Sequence, residues 1–114
     1  YTSGQFKQLQ VLETPLLTKS AVESSVLAWS LYERGLVKGF EDVHVLGMWT
    51  AEPGNVFMRV PVKSFDDVKN LKIRSAGRLE GEFIAALGAT PEAMHPADVY
   101  EALRRNTIDG TVQG

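Results

Sequence analysis

The sequence has 114 residues, 44% hydrophobic and 23% charged, a composition ordinary for a globular domain and too short for two complete ones. Its formal charge is −2, with no basic patch to suggest nucleic acid, and no apolar run approaches the ~20 residues that span a bilayer. It contains no cysteine, which removes disulfides, thiolate metal sites and thiol catalysis.

In chain order, YTSG is turn-like and LQVL reads as a short strand over residues 9–12, ending near Pro15. Ser20 then opens a helix over residues 20–34, because Ser20 and Glu23 have capping-box spacing and Gly35 suits the C-terminal cap. Val22, Val26 and Trp29 form its expected apolar stripe, widened by Leu27 and Leu31, with Trp29 read as core. VHVLGMW (residues 43–49) is apolar and of strand length, so it predicts a buried strand. EPGN marks a turn, and residues 56–60 follow as a strand that Pro61 either limits or places at a sheet edge.

Ser64 and Asp67 cap a short helix over residues 65–69. LKIRSAG (residues 71–77) then reads as a strand running into a small-residue turn, and a helix over residues 78–87 follows. Leu79, Phe83, Ile84 and Leu87 share its apolar face, and Gly88 ends it. Residues 90–95 are extended. Pro96 and Asp98 open another helix, Arg104 and Arg105 suit its negative end, and residues 108–112 close as a strand. The order β-α-β-α-β-α-β from Val56 predicts a parallel or mixed α/β sheet.

Candidate chemistry is sparse. Arg74 stands at the carboxyl end of a strand, the edge where open α/β sheets bind ligands, and its planar fork suits a carboxylate; the plainer reading is a surface ion pair. Arg78 lies in a first helical turn, either near an anion or simply solvated. Arg59 fits a sheet edge, while Trp49 either walls a cleft or packs in a core. His44 and His95 read as structural, and Glu80 and Glu82 as partners of a helix dipole rather than a catalytic pair. Metal-ligand spacing, a phosphate loop, a dinucleotide turn and a nucleophile elbow are all missing from the sequence, so no catalytic residue, cofactor or metal is assigned.

Several segments together resemble one family. VKSFDDVKNLKIR (62–74) is similar to PV-x-S-x-x-DLKGLKIR, ALGATP (86–91) contains a match to LGA-x-P, and DVYEAL with TIDG (98–103, 107–110) matches EVY-x-AL and VDG. Upstream, ETPLL (13–17) resembles ELPFL and VLGMW (45–49) resembles VLG-x-W. The chain thus resembles, over its whole length, the DctP-like solute-binding proteins of tripartite ATP-independent periplasmic (TRAP) transporters.

That resemblance implies an α/β, periplasmic-binding-protein-like (type II) two-lobed fold, only partly represented, with residues 1–52 in the first lobe and 53–114 in most of the second. It implies a periplasmic receptor, not an enzyme, that binds a small organic acid between the lobes and delivers it to membrane permease subunits. Arg74 takes the place of the arginine that pairs with the ligand carboxylate. Gln113 stands where the family has a ligand-contacting asparagine, and Asn70 replaces a glycine before LKIR. The family's second ligand arginine has no match in register, and Arg59 is merely close to it in sequence. Trp49 completes the candidate ligand residues.

The chain starts without Met or a leader and stops inside a predicted strand, so it reads as an internal piece of a longer protein. Such a piece leaves sheet edges and cleft walls uncovered, and self-association or strand exchange is expected of it. Two other classes remain open at this point: a cytosolic effector-binding domain of a transcription regulator, which shares this lobe architecture, and an enzyme of unknown type.

Overall fold

The computed structural model describes residues 6–114, and the turn-like reading of residues 1–4 lies outside them. The chain divides into two compact units between Pro53 and Gly54.

The first unit is built around helix α1 (Ala21–Glu33). Ser20 caps it by accepting from the Glu23 amide at 3.2 Å, while the Glu23 carboxylate reaches back to the Lys19 amide at 2.8 Å. At its other end Gly35 is left-handed (φ 68°), its amide donates to Tyr32 O and that of Leu36 to Leu31 O. This is the paired closure of a Schellman motif, which needs a residue at ease with positive φ.

Three expectations for this unit are corrected. Residues 9–12 lie within a 3-10 helix (Lys7–Glu13), not a strand. Residues 43–49 form no strand, and Val43, Leu46 and Trp49 are exposed, as is His44. Apolar residues alone do not make a strand, whose backbone groups need a neighbouring edge to pair with; among the described residues none pairs with this run. The segment is instead tied to α1 just beyond it, where the Thr50 amide donates to Ser25 Oγ at 2.9 Å. Finally, Val22 and Val26 face solvent, and α1 buries Ser24 and Ala28. Trp29 is half-buried, tilted against Tyr32, which makes a T-shaped pair with Phe40.

The second unit is a four-stranded sheet with spatial order β1-β4-β2-β3: β1 (Asn55–Met58), β2 (Lys72–Ser75), β3 (Thr90–Ala93) and β4 (Gly110–Gln113). β4 and β3 run parallel to β2, whereas β1 is an antiparallel edge, the second of the two readings that Pro61 allows. Helix α2 (Arg78–Ala86) links β2 to β3; a 3-10 turn (Pro96–Asp98) and helix α3 (Val99–Arg104) link β3 to β4. The core on the α2 face gathers Val68, Ile73, Ile84, Ala89 and Val112, with Met58, Leu71 and Leu87 at its margin. Asn70 is left-handed (φ 65°), a conformation asparagine tolerates and glycine adopts freely, which explains why the two exchange before LKIR.

The short helix over residues 65–69 is a 3-10 turn (Phe65–Val68), held by Asp67 Oδ2, which accepts from the Lys63 and Ser64 amides at 2.8 and 2.9 Å. Those two bonds favour the ionised form and hold the Asp67 carboxyl below its ordinary 3.8. A depressed carboxyl pKa supplies stability above the ordinary value, and that stability is lost as pH falls through the lowered one. Asp67→Ala is therefore expected to melt below the wild type at neutral pH, and the gap should close well below pH 3.8. Thermal melts of both chains across that range check this; a gap that persists in acid refutes it.

The two crossovers fix where a ligand can approach. β2-α2-β3 steps outward across the sheet and β3-α3-β4 steps back past β2. Right-handed crossovers in opposite directions put α2 and α3 on opposite faces. The connections leaving β2 and β3 consequently diverge, and the carboxyl ends of two such strands are where open α/β sheets bind ligands.

Candidate functional site

Alternation along β2 sends Ile73 and Ser75 towards α2 and Arg74 to the other face. Gly81 of α2 confirms the orientation, since a Cβ there would lie 3.4 Å from Ser75 Oγ. Arg74 is 2% exposed, so this is no surface cation. Its Nε donates to Met94 O at 3.1 Å, just past the carboxyl end of β3. Nη1 donates to Val112 O at 3.2 Å on β4. Nη2 is buried and has no hydrogen-bond partner.

No carboxylate pairs with Arg74 among the described residues. Glu92 is its register partner on β3 and half-buried, yet makes no ion pair with it. A buried charge without a counter-charge costs several kcal/mol even after relaxation. Two neutral carbonyls offset part of that cost, and the unpaired Nη2 keeps donors from which one anionic oxygen could accept.

The other candidate residues fall elsewhere. Gln113 ends β4, exposed and opposite Asn55, with the same alternation as Thr111 and hence on the Arg74 face. Arg59 lies just past β1; its amide donates to Asp109 O at 2.9 Å and its side chain is exposed. Trp49 belongs to the first unit and is 83% exposed. Arg78 forms an exposed ion pair with Glu82, and the Glu80 carboxylate accepts from the Ala76 amide before α2, so both acids act locally. His95 Nδ1 accepts from the Ala97 amide at 3.3 Å, a structural use. Among the described residues no cluster of three acid or imidazole side chains is disposed to hold a metal, and no helix is long and apolar enough to cross a membrane.

Two residues near Arg74 have roles that the motif match does not assign. Asp109 Oδ2 accepts from the Lys72 amide at 2.8 Å, and its own amide donates to Lys72 O at 2.7 Å. That double link starts the β2–β4 register, which sets Arg74 opposite Thr111. Thr111 is itself 3% exposed. The signal available in sequence was the Asp-Gly pair, whose acid has a backbone partner and whose glycine lies under β1.

Residues 1–113 match the model of bacterial extracellular solute-binding protein family 7, DctP. Over 96% of its length the chain is 29% identical to the outer membrane transporter protein TsaT of Comamonas testosteroni, covering 33% of that protein. A TRAP solute-binding protein from Rhodoferax ferrireducens T118, solved with copurified benzoate, is 32% identical with a TM-score of 0.87, over 99% of this chain and 35% of that one. A marine metagenome TRAP solute-binding protein specific for aromatic acid ligands, solved with 3-hydroxybenzoate, is 30% identical with a TM-score of 0.88, over 99% of this chain and 36% of that one. The chain therefore spans about a third of the length of these proteins. The family is one of transport receptors, which sets aside the effector-domain and enzyme readings. With its motifs, its α/β fold and its likeness to TRAP receptors in agreement, the chain belongs to the DctP family of bacterial extracellular solute-binding proteins.

Proposed function

We propose that the chain is the anion-reading part of a periplasmic TRAP receptor, which captures a small organic acid and delivers it to a membrane permease. Residues 1–52 and 53–114 contribute to its two lobes. One observation carries the reading: the unpaired Nη2 of a buried arginine at the carboxyl end of β2. The benzoate and 3-hydroxybenzoate held by the two similar receptors support a carboxylate as the missing counter-charge. Because Nη2 is buried, the acid reaches it only when the segments over the guanidinium part, so association runs below the diffusional limit. Gln113 and Arg59, whose side chains are exposed in the same unit, serve as outer contacts in this reading.

The test is titration calorimetry of the full-length receptor carrying this chain. A panel of benzoate, 3-hydroxybenzoate, pyruvate and succinate is compared with the corresponding neutral amides. At least one acid is expected to bind and its amide to fail, since an amide cannot neutralise the guanidinium. Equal binding of acid and amide, or no binding across the panel, overturns the reading.

A further inference from the structure

Thr111 faces the same side of the sheet as Arg74 and stands directly opposite it on β4. Both side chains are buried, and both donate to one oxygen, Val112 O. The two bonds are unequal. Arg74 Nη1 lies 3.2 Å from that oxygen, within ordinary range, whereas Thr111 Oγ1 lies 3.4 Å away, long for a hydroxyl donor, whose bonds cluster near ~2.8 Å. The Thr111 hydroxyl is thus a buried donor making poor use of its proton. Turning it away leaves Val112 O still satisfied by Nη1, so releasing the hydroxyl orphans nothing. The unpaired Nη2 belongs to the same guanidinium. One charged donor and one loosely held neutral donor therefore sit side by side on adjacent strands.

We infer that Thr111 is a second ligand-binding residue: its hydroxyl turns from Val112 O to one oxygen of the carboxylate whose other oxygen is held by Arg74 Nη2. The inference rests on the proposed role of Arg74 and deepens it. The guanidinium supplies the charge requirement. The hydroxyl fixes the tilt of the carboxylate plane, and with it the direction in which the rest of the acid points. This makes Thr111 a specificity-determining position although it carries no charge and lies outside the LKIR segment.

The test uses the full-length receptor, calorimetry and the tightest-binding acid of the panel above. Thr111→Val keeps the shape and removes the hydroxyl, and should weaken binding about tenfold or more, the usual effect of losing a hydrogen bond to a charged group. Thr111→Ser keeps the hydroxyl and should stay within about threefold of the wild type, a rescue that a purely packing role does not give. Thr111→Ala stands in for Thr111→Val if the latter does not fold, with the same loss expected. Wild-type affinity in the hydroxyl-free variant overturns the inference, and so does an equal loss in Thr111→Ser. Arg74→Ala run in parallel separates the two readings. If it binds normally, or if no acid binds the wild type, the reading of Arg74 itself fails; if it loses binding while Thr111→Val does not, only Thr111 is wrong.

Discussion

Arg74→Ala is expected to remove most of the affinity of the full-length receptor for its acid. Truncating one member of a buried, hydrogen-bonded charge pair costs about 2–5 kcal/mol, and each 1.4 kcal/mol is about tenfold, so the loss runs from about 30-fold to several thousand-fold. Arg74→Lys should lose nearly as much. An ammonium on a flexible stem cannot keep the bonds to Met94 O and Val112 O while presenting a further donor to the ligand. The same site predicts an effect of opposite sign without ligand. Arg74→Met replaces a buried charge lacking a counter-ion, whose burial costs several kcal/mol, with an apolar chain of similar reach. The ligand-free Arg74→Met receptor should therefore melt at or above the wild-type temperature, and adding acid should no longer shift the melt. A guanidinium serving only to hold the strands together predicts the reverse: a lower melting temperature and an unchanged ligand response. Calorimetry and ligand-dependent melting curves on the three variants decide between them.

The second large effect is expected at Gly110. This residue pairs with Met58 across the β1–β4 ladder, and a Cβ added to it would come within 2.7 Å of Phe57 O and collide with the Met58 side chain. The methionine tail can swing aside, but the Phe57 carbonyl is backbone, so β1 must move away from β4. Overpacking of this kind costs about 1–3 kcal/mol. Gly110→Ala should sit at the upper end, because the displaced edge strand also carries Met58 at the margin of the core. For a domain of this size that is a fall of about 4–8 °C in melting temperature per kcal/mol. An unchanged melt would mean that β1 is not bound to β4 in solution. The glycine of the Asp-Gly pair is thus a packing requirement of the sheet, and the aspartate before it sets the register of the binding strand.

What could be read from sequence divides along the range of the interactions involved. The caps at Ser20, Gly35 and Asp67, the proline that opens the third helix and the alternation of strands and helices beyond Val56 are local signals, and the structure follows them. Residues 9–12 and 43–49 misled because apolar content was taken for a strand, whereas a strand exists only with a partner along its edge. The stripe on α1 misled in another way. Periodicity identified an apolar side, but the face that packs is the one carrying Ser24 and Ala28, small residues that admit a close neighbour. At the site, the end of LKIR marked Arg74. Its near-complete burial, its open nitrogen and its neighbour Thr111 depended on which strand lies beside β2, and a partner 37 residues away in the chain has no local signature.

The strand order has a consequence for how the second unit forms. β4 lies between β1 and β2, so β1 has no partner in this sheet until residue 113 is available. The earlier β2-α2-β3 segment can close on itself, but the edge strand β1 must wait for a partner more than fifty residues downstream. Pairing at such separation is slow, because the entropy of closing the loop is lost before the contacts form. The edge strand β1 therefore docks late in the formation of this unit, after the β2-α2-β3 segment has closed.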